Sequence, residues 1–91
     1  MKRLFLRIVG RVQGVGYRAF VLREATRRGI TGWVRNEPDG SVTAEVQGDD
    51  RSLSDLLLAL KEGPPAARVD DLVIEERPVI PEEKSFRIAY R

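Results

Sequence analysis

The order in which side-chain periodicity changes along this chain constrains its fold more than any other property. The stretch SVTAEVQG (residues 41–48) alternates cleanly, with Val42, Ala44 and Val46 on one side and Thr43, Glu45 and Gln47 on the other. That is the period of a strand with one buried face. Leu4–Val12 reads the same way, with Leu4, Leu6 and Ile8 opposed by Arg7. Between these two, Tyr17, Val21 and Ala25 recur at helical spacing and predict a helix over Tyr17–Arg28, stopped by Gly29. TGWVRN (31–36) is a short strand, and EPDG (37–40) is a turn with proline and glycine where turns take them. Further on, Leu53, Leu56, Leu57 and Leu60 form the buried stripe of a second helix, capped by Asp49 or Asp50 and ended by EGPPAA. A fourth strand falls within Val69–Arg77, its alternation blurred by Asp70 and Asp71. SFRIAYR (85–91) predicts a fifth with Phe86, Ile88 and Tyr90 on one side. The order β-α-β-β-α-β, with an additional C-terminal strand, calls for an α/β two-layer sandwich of the ferredoxin-like kind.

Residues 1–91 are expected to form a single domain, since no repeat, low-complexity segment or linker divides them. A chain of this length buries roughly 60–65% of its unfolded surface and folds without staples. The absence of cysteine excludes disulfides and thiolate chemistry, and the absence of histidine removes the commonest general base and metal ligand. No apolar run is long enough to cross a bilayer, and MKRLFLRIVG is too short and too charged for a signal peptide. The expectation is a soluble, cytoplasmic monomer without a membrane partner. A formal charge of +2 lacks the one-sided excess of a protein that wraps nucleic acid. The basic residues are nearly all arginine, a bias that heat adaptation and a GC-rich genome explain equally well. Asn36 is the chain's single asparagine, which sets it apart.

The stretch GRVQGVGYR (10–18) stands where the first strand hands over to the first helix. One glycine would serve a plain connector; three imply close backbone approach or torsions that side chains forbid. In the split β-α-β arrangement the first two strands run parallel with the third between them, so their carboxyl ends share one sheet edge. Two strand spacings, about 10 Å, then separate this loop from Asn36. Arg18 and Asn36, reaching inward from either side, would leave room for one small anion. A glycine-rich turn and a helix start direct N–H groups at phosphoryl oxygens, and an arginine in the first helical turn adds a forked donor.

GRVQGVGYR followed by GWVRNEPDGSV closely resembles the acylphosphatase family. The resemblance continues through VQGDD, the leucine-striped helix, GPPAARV and FRIAY, covering essentially the whole chain. It implies a hydrolase that cleaves the carboxyl–phosphate bond of acyl phosphates. Arg18 matches the family's phosphate-binding arginine and Asn36 its water-orienting asparagine; Val12, Gln13, Gly14, Val15, Gly16 and Tyr17 match its phosphate cradle. Gly16 stands where some members have cysteine, and Tyr17 where many have phenylalanine. Glu37 replaces a residue that is often small or hydroxylated, and is expected to face solvent, away from the anion.

The missing residue types suit this chemistry. A carboxylate leaving group, with a conjugate-acid pKa of about 4, departs without a general acid. Phosphoryl transfer depends mainly on positioning and electrostatic stabilisation, which Arg18, the loop amides and Asn36 would supply, a substrate oxygen taking the water's proton. Asp39 is expected to form the turn with Gly40 rather than act as a nucleophile. No metal or other cofactor is expected: Asp49–Asp50 reads as a helix cap and Asp70–Asp71 as solvated charge. Trp33 is assigned to packing, Arg11 and Arg35 to surface charge, and Gln13 to the cradle through its backbone N–H. An RNA-binding module shares the element order, but the outward residues Arg7, Val9, Thr43, Glu45 and Gln47 include no aromatic for base stacking. A silent phosphate-sensing domain is the third reading, opposed by the intact Arg18 and Asn36.

Overall fold

Among the described residues, five strands and two helices follow the expected order: β1 (Lys2–Arg11), α1 (Tyr17–Arg27), β2 (Thr31–Asn36), β3 (Val42–Gly48), α2 (Asp50–Glu62), β4 (Arg68–Arg77) and β5 (Phe86–Ile88). The computed structural model describes residues 1–90. Alternation on β1 and β3 turns Leu4, Leu6, Ile8, Val42, Ala44 and Val46 to one face. There they meet Tyr17, Val21 and Ala25 of α1 and Leu53, Leu56 and Leu60 of α2 in one core. Leu57 packs only at its margin. Capping sets the helix ends. Asp49 Oδ1 accepts the Ser52 N–H at 2.8 Å, which decides between the two candidate caps. After α1 the Gly29 N–H donates to Thr26 and the Ile30 N–H to Ala25, the paired bonds of a Schellman stop, with Ile30 buried behind them. Among the described residues no helix is long and apolar enough to cross a membrane.

The sheet order is β4-β1-β3-β2-β5. β3 pairs antiparallel with both β1 and β2, so β1 and β2 run parallel and end on the same edge. This is the ferredoxin-like sandwich with an additional C-terminal strand, as expected. β5 pairs parallel with β2, Val34 opposite Ile88. The blurred alternation of the fourth strand is a bulge: Val9 faces Asp71 and Gly10 faces Val69, leaving Asp70 between them. The backbones approach so closely here that a Cβ on Gly10 would strike the Arg68 carbonyl oxygen. The first glycine of GRVQGVGYR therefore belongs to the sheet and not to the loop.

Three expectations need correction. β5 ends at Ile88, so Tyr90 does not share a strand face with Phe86 and Ile88; it is 77% exposed. Arg91 lies outside the described residues. The outer sheet face does carry an aromatic on a central strand: Phe5, opposite Glu45, projects there beneath the Arg77 guanidinium, 4.7 Å from the ring centre. Glu37 does not face solvent. Its side chain is only 10% exposed, because Arg35 Nε and Thr43 Oγ1 donate to Oε2 at 2.8 and 2.6 Å on the outer face.

Because β4 and β5 lie at opposite edges, residues 78–85 must cross the sheet, at the end remote from Asn36. Gln47 binds both backbone groups of Ile80 at 2.8 Å, as a neighbouring strand would. Arg3, 1% exposed, donates to Glu45, Gln47 and Glu83. Burial opposes charge on Glu83, but the bonds from Arg3 prevail and hold its carboxyl below the usual range. The crossing fixes where β5 begins and hence what reaches the edge beside Asn36.

Candidate active site

The loop after β1 is shaped by two glycines in left-handed conformation, Gly14 (φ +73°) and Gly16 (φ +78°). A Cβ at either would meet nothing, so it is the torsion and not lack of space that favours glycine. Gly16 is the N-cap of α1, and no side chain caps that end. The helix therefore opens with first-turn N–H groups that have no intrahelical acceptor. Val12 and Tyr17, at the two ends of the loop, send their side chains into the core. The Tyr17 hydroxyl donates to Leu60 O at 2.8 Å, joining the two helices, and burial raises its pKa far enough to keep it neutral. These two residues can serve the loop surface only through their backbone. Val15 packs against the core margin.

Gln13 has a role that the sequence did not reveal. Its Nε2 donates to Glu37 O at 2.7 Å and to Ser41 O at 2.9 Å. The loop after β1 is thus tied to both ends of the turn that follows Asn36. That turn is itself closed by Glu37 N to Ser41 O and Gly40 N to Glu37 O. Asp39 completes it, accepting from the Ser41 hydroxyl and N–H at 2.6 and 2.9 Å, bonds that lower its pKa. Asp39 is the turn former that EPDG implied. Replacing Gln13 with alanine removes two part-buried hydrogen bonds while each carbonyl keeps its backbone donor, which should lower folding stability by about 1–3 kcal/mol. A urea midpoint that does not move would show that the tie contributes nothing.

Asn36 ends β2 on the helix-covered face, in step with Val34. Its Oδ1 is buried and accepts no hydrogen bond from the described residues. An unpaired buried carbonyl oxygen is costly, and such groups in folded proteins call for an explanation. Arg18, in the first turn of α1, has no carboxylate partner among the described residues; its one aromatic contact is the Tyr90 ring, 5.4 Å from Cζ. Both residues line a cavity of about 180 Å³, together with Val12, Gly14, Gly16, Tyr17, Ala19 and Ile88. Both also line an adjoining cavity of about 310 Å³ with Glu37, Pro38, Ala89 and Tyr90. The structure thus brings Arg18 and Asn36 together around one opening with Val12, Gly14, Gly16 and Tyr17, whereas Gln13 and Val15 line neither cavity. Larger hollows exist, such as one of about 340 Å³ beside Lys61 and Val69, but it shares none of these residues.

The neighbouring cations are differently engaged. Arg35 pairs with Glu37 and lies over the Trp33 ring, 4.9 Å from its centre, on the outer face; Arg11 is exposed. Asp49 is the helix cap, and Asp70 pairs with Arg68 at 2.9 Å. Among the described residues no three acidic side chains cluster as metal ligands would. Pro38, Ala89 and Tyr90 line the cavity of about 310 Å³, a position that sequence reasoning did not give them. Pro38 comes from the turn after β2, and Ala89 and Tyr90 arrive through the parallel pairing of β5 with β2, locked by Ala89 N donating to Val34 O at 2.8 Å.

Comparison with known proteins gives a consistent result. The sequence model of the family described as Acylphosphatase matches residues 4–88. An acylphosphatase of Geobacillus thermodenitrificans is 47% identical over 90 residues, 99% of this chain and 96% of that protein. One of Geobacillus kaustophilus is 48% identical over the same shares. The crystal structure of acylphosphatase from Bacillus subtilis superposes with a TM-score of 0.95 at 37% identity, covering 99% of this chain and 100% of the other.

Proposed function

This chain belongs to the acylphosphatase family and hydrolyses acyl phosphates; we propose that Arg18 and the main-chain N–H groups of residues 12–18 hold the phosphoryl group while Asn36 orients the attacking water. One observation carries this reading. Among the described residues, a guanidinium with no carboxylate partner and a buried carbonyl oxygen with no donor line the same small cavity. The first suits an anion, and the second suits a molecule that donates a hydrogen bond, as water does.

The Arg18 fork grips two phosphoryl oxygens at once, and its charge is permanent. The uncapped start of α1 adds N–H donors and the positive end of the helix dipole. Together they stabilise charge on the oxygens as the phosphoryl group transfers. The water oxygen, held by Asn36 Oδ1, bonds to phosphorus in line with the bond to the acyl oxygen. That bond breaks, and the carboxylate leaves with its electron pair. With a conjugate-acid pKa of about 4 it needs no proton. One water proton passes to a phosphoryl oxygen of the substrate itself. The Glu37 carboxylate does not oppose anion binding strongly, since Arg35 neutralises it on the outer face.

The proposal extends to residues 1–91 as one domain, acting as a cytoplasmic monomer without metal, cofactor or nucleic acid. An RNA-stacking surface is disfavoured because Phe5 and Trp33, on the outer face, each lie under an arginine of this chain. The test is turnover of benzoyl phosphate with excess chelator present. Undiminished hydrolysis is expected; strict dependence on an added divalent cation would overturn the mechanism.

A further inference from the structure

We propose that the cavity of about 310 Å³ beside the phosphoryl site receives the acyl group, and that the Tyr90 ring makes it selective for flat, apolar acyl groups. This rests on the phosphoryl-site reading above. Arg18 and Asn36 line both cavities, so a phosphoryl group held between them projects its acyl oxygen toward one or the other. Beyond the two shared residues the smaller cavity is lined by Val12, Gly14, Gly16, Tyr17 and Ala19, from the glycine loop and the start of α1, and by Ile88. The larger opens outward, and beyond the two shared residues its lining is Glu37, Pro38, Ala89 and Tyr90. The Glu37 Oε2 is already taken by Arg35 and Thr43. Pro38, Ala89 and the Tyr90 ring offer apolar surface with few donors, a poor seat for a charged or hydroxylated acyl chain and a good one for an aryl group.

Tyr90 is poised for this contact. It is 77% exposed, yet its ring stands 5.4 Å from the Arg18 guanidinium carbon, and Ala89 before it is pinned to β2. One part of the ring is held by the cation that grips the phosphoryl group, and the remainder meets water. An aryl group joined to the phosphorus through two atoms reaches that exposed part without moving the phosphoryl group. Offset or edge contact between the rings then adds binding that a methyl group cannot match.

The test compares kcat/KM for benzoyl phosphate and acetyl phosphate in the wild type, Tyr90→Phe and Tyr90→Ala. Any loosening of Arg18 slows both substrates alike and cancels in their ratio. In Tyr90→Ala the benzoyl-to-acetyl ratio should fall about three- to tenfold, the worth of one aromatic contact, with the change in KM more than in kcat. Tyr90→Phe keeps the ring and should keep the ratio. An unchanged ratio in Tyr90→Ala, with wild-type turnover normal, overturns the acyl subsite alone. A wild type that turns over neither substrate overturns the catalytic reading and the subsite with it.

Discussion

Arg18→Ala should lower kcat/KM for benzoyl phosphate by at least ~10²-fold, the loss expected when one transition-state donor is removed. The folded protein should tolerate the change. Arg18 is half-buried, has no carboxylate partner among the described residues, and has the Tyr90 ring as its aromatic contact. Its removal leaves no buried charge behind, so lost activity with an unmoved urea midpoint would locate the effect in the chemistry. Arg18→Lys separates charge from shape. Lysine restores the positive charge but not the planar pair of donors, and it should recover little of the rate. Full recovery would mean that the site needs a cation near the phosphoryl group and nothing more specific.

Asn36→Ala should produce the second large loss, again at least ~10²-fold in kcat. Here stability and activity should move in different directions. The Asn36 Oδ1 atom is buried and accepts no hydrogen bond from the described residues, so deleting it forfeits no protein bond of that atom and removes a buried polar group. The variant should fold at least as stably as the wild type, as is common where a site is kept for activity at the expense of the fold. Inhibition by inorganic phosphate should persist, because the anion is held by Arg18 and the loop. If phosphate affinity fell in step with turnover, Asn36 would be a ligand of the phosphoryl group and not of the water.

Local chemistry made much of this legible in the sequence. Clean alternation on β3, the leucine spacing of α2, Asp49 and Gly29 each act within a few residues, and each lies where its chemistry requires. The meeting of Arg18 with Asn36 followed from topology, because strand order brings two loop positions to one edge. What escaped were the long-range pairings. Nothing in SFRIAYR says which edge it joins, so neither its early end at Ile88 nor the approach of Tyr90 to Arg18 could be foreseen. Asp70 blurs its strand because it sits in a bulge opposite Gly10, some sixty residues away, set by pairing rather than by local pattern. Glu37 reads as a solvated turn residue until Arg35 and Thr43, aligned by register, are seen to claim it. Gln13 likewise looks like one more loop residue; its two carbonyl partners lie across the sheet edge.

The central claim is spatial, and a crystal structure with bound inorganic phosphate tests it most directly. The account predicts one anion in the cavity between the two residues, with the Arg18 guanidinium donating to two of its oxygens. Main-chain N–H groups of residues 12–18 should close around it, and an ordered water should lie between the anion and Asn36 Oδ1. An anion held on the outer sheet face, or bound near Arg18 while Asn36 turns elsewhere, would contradict it.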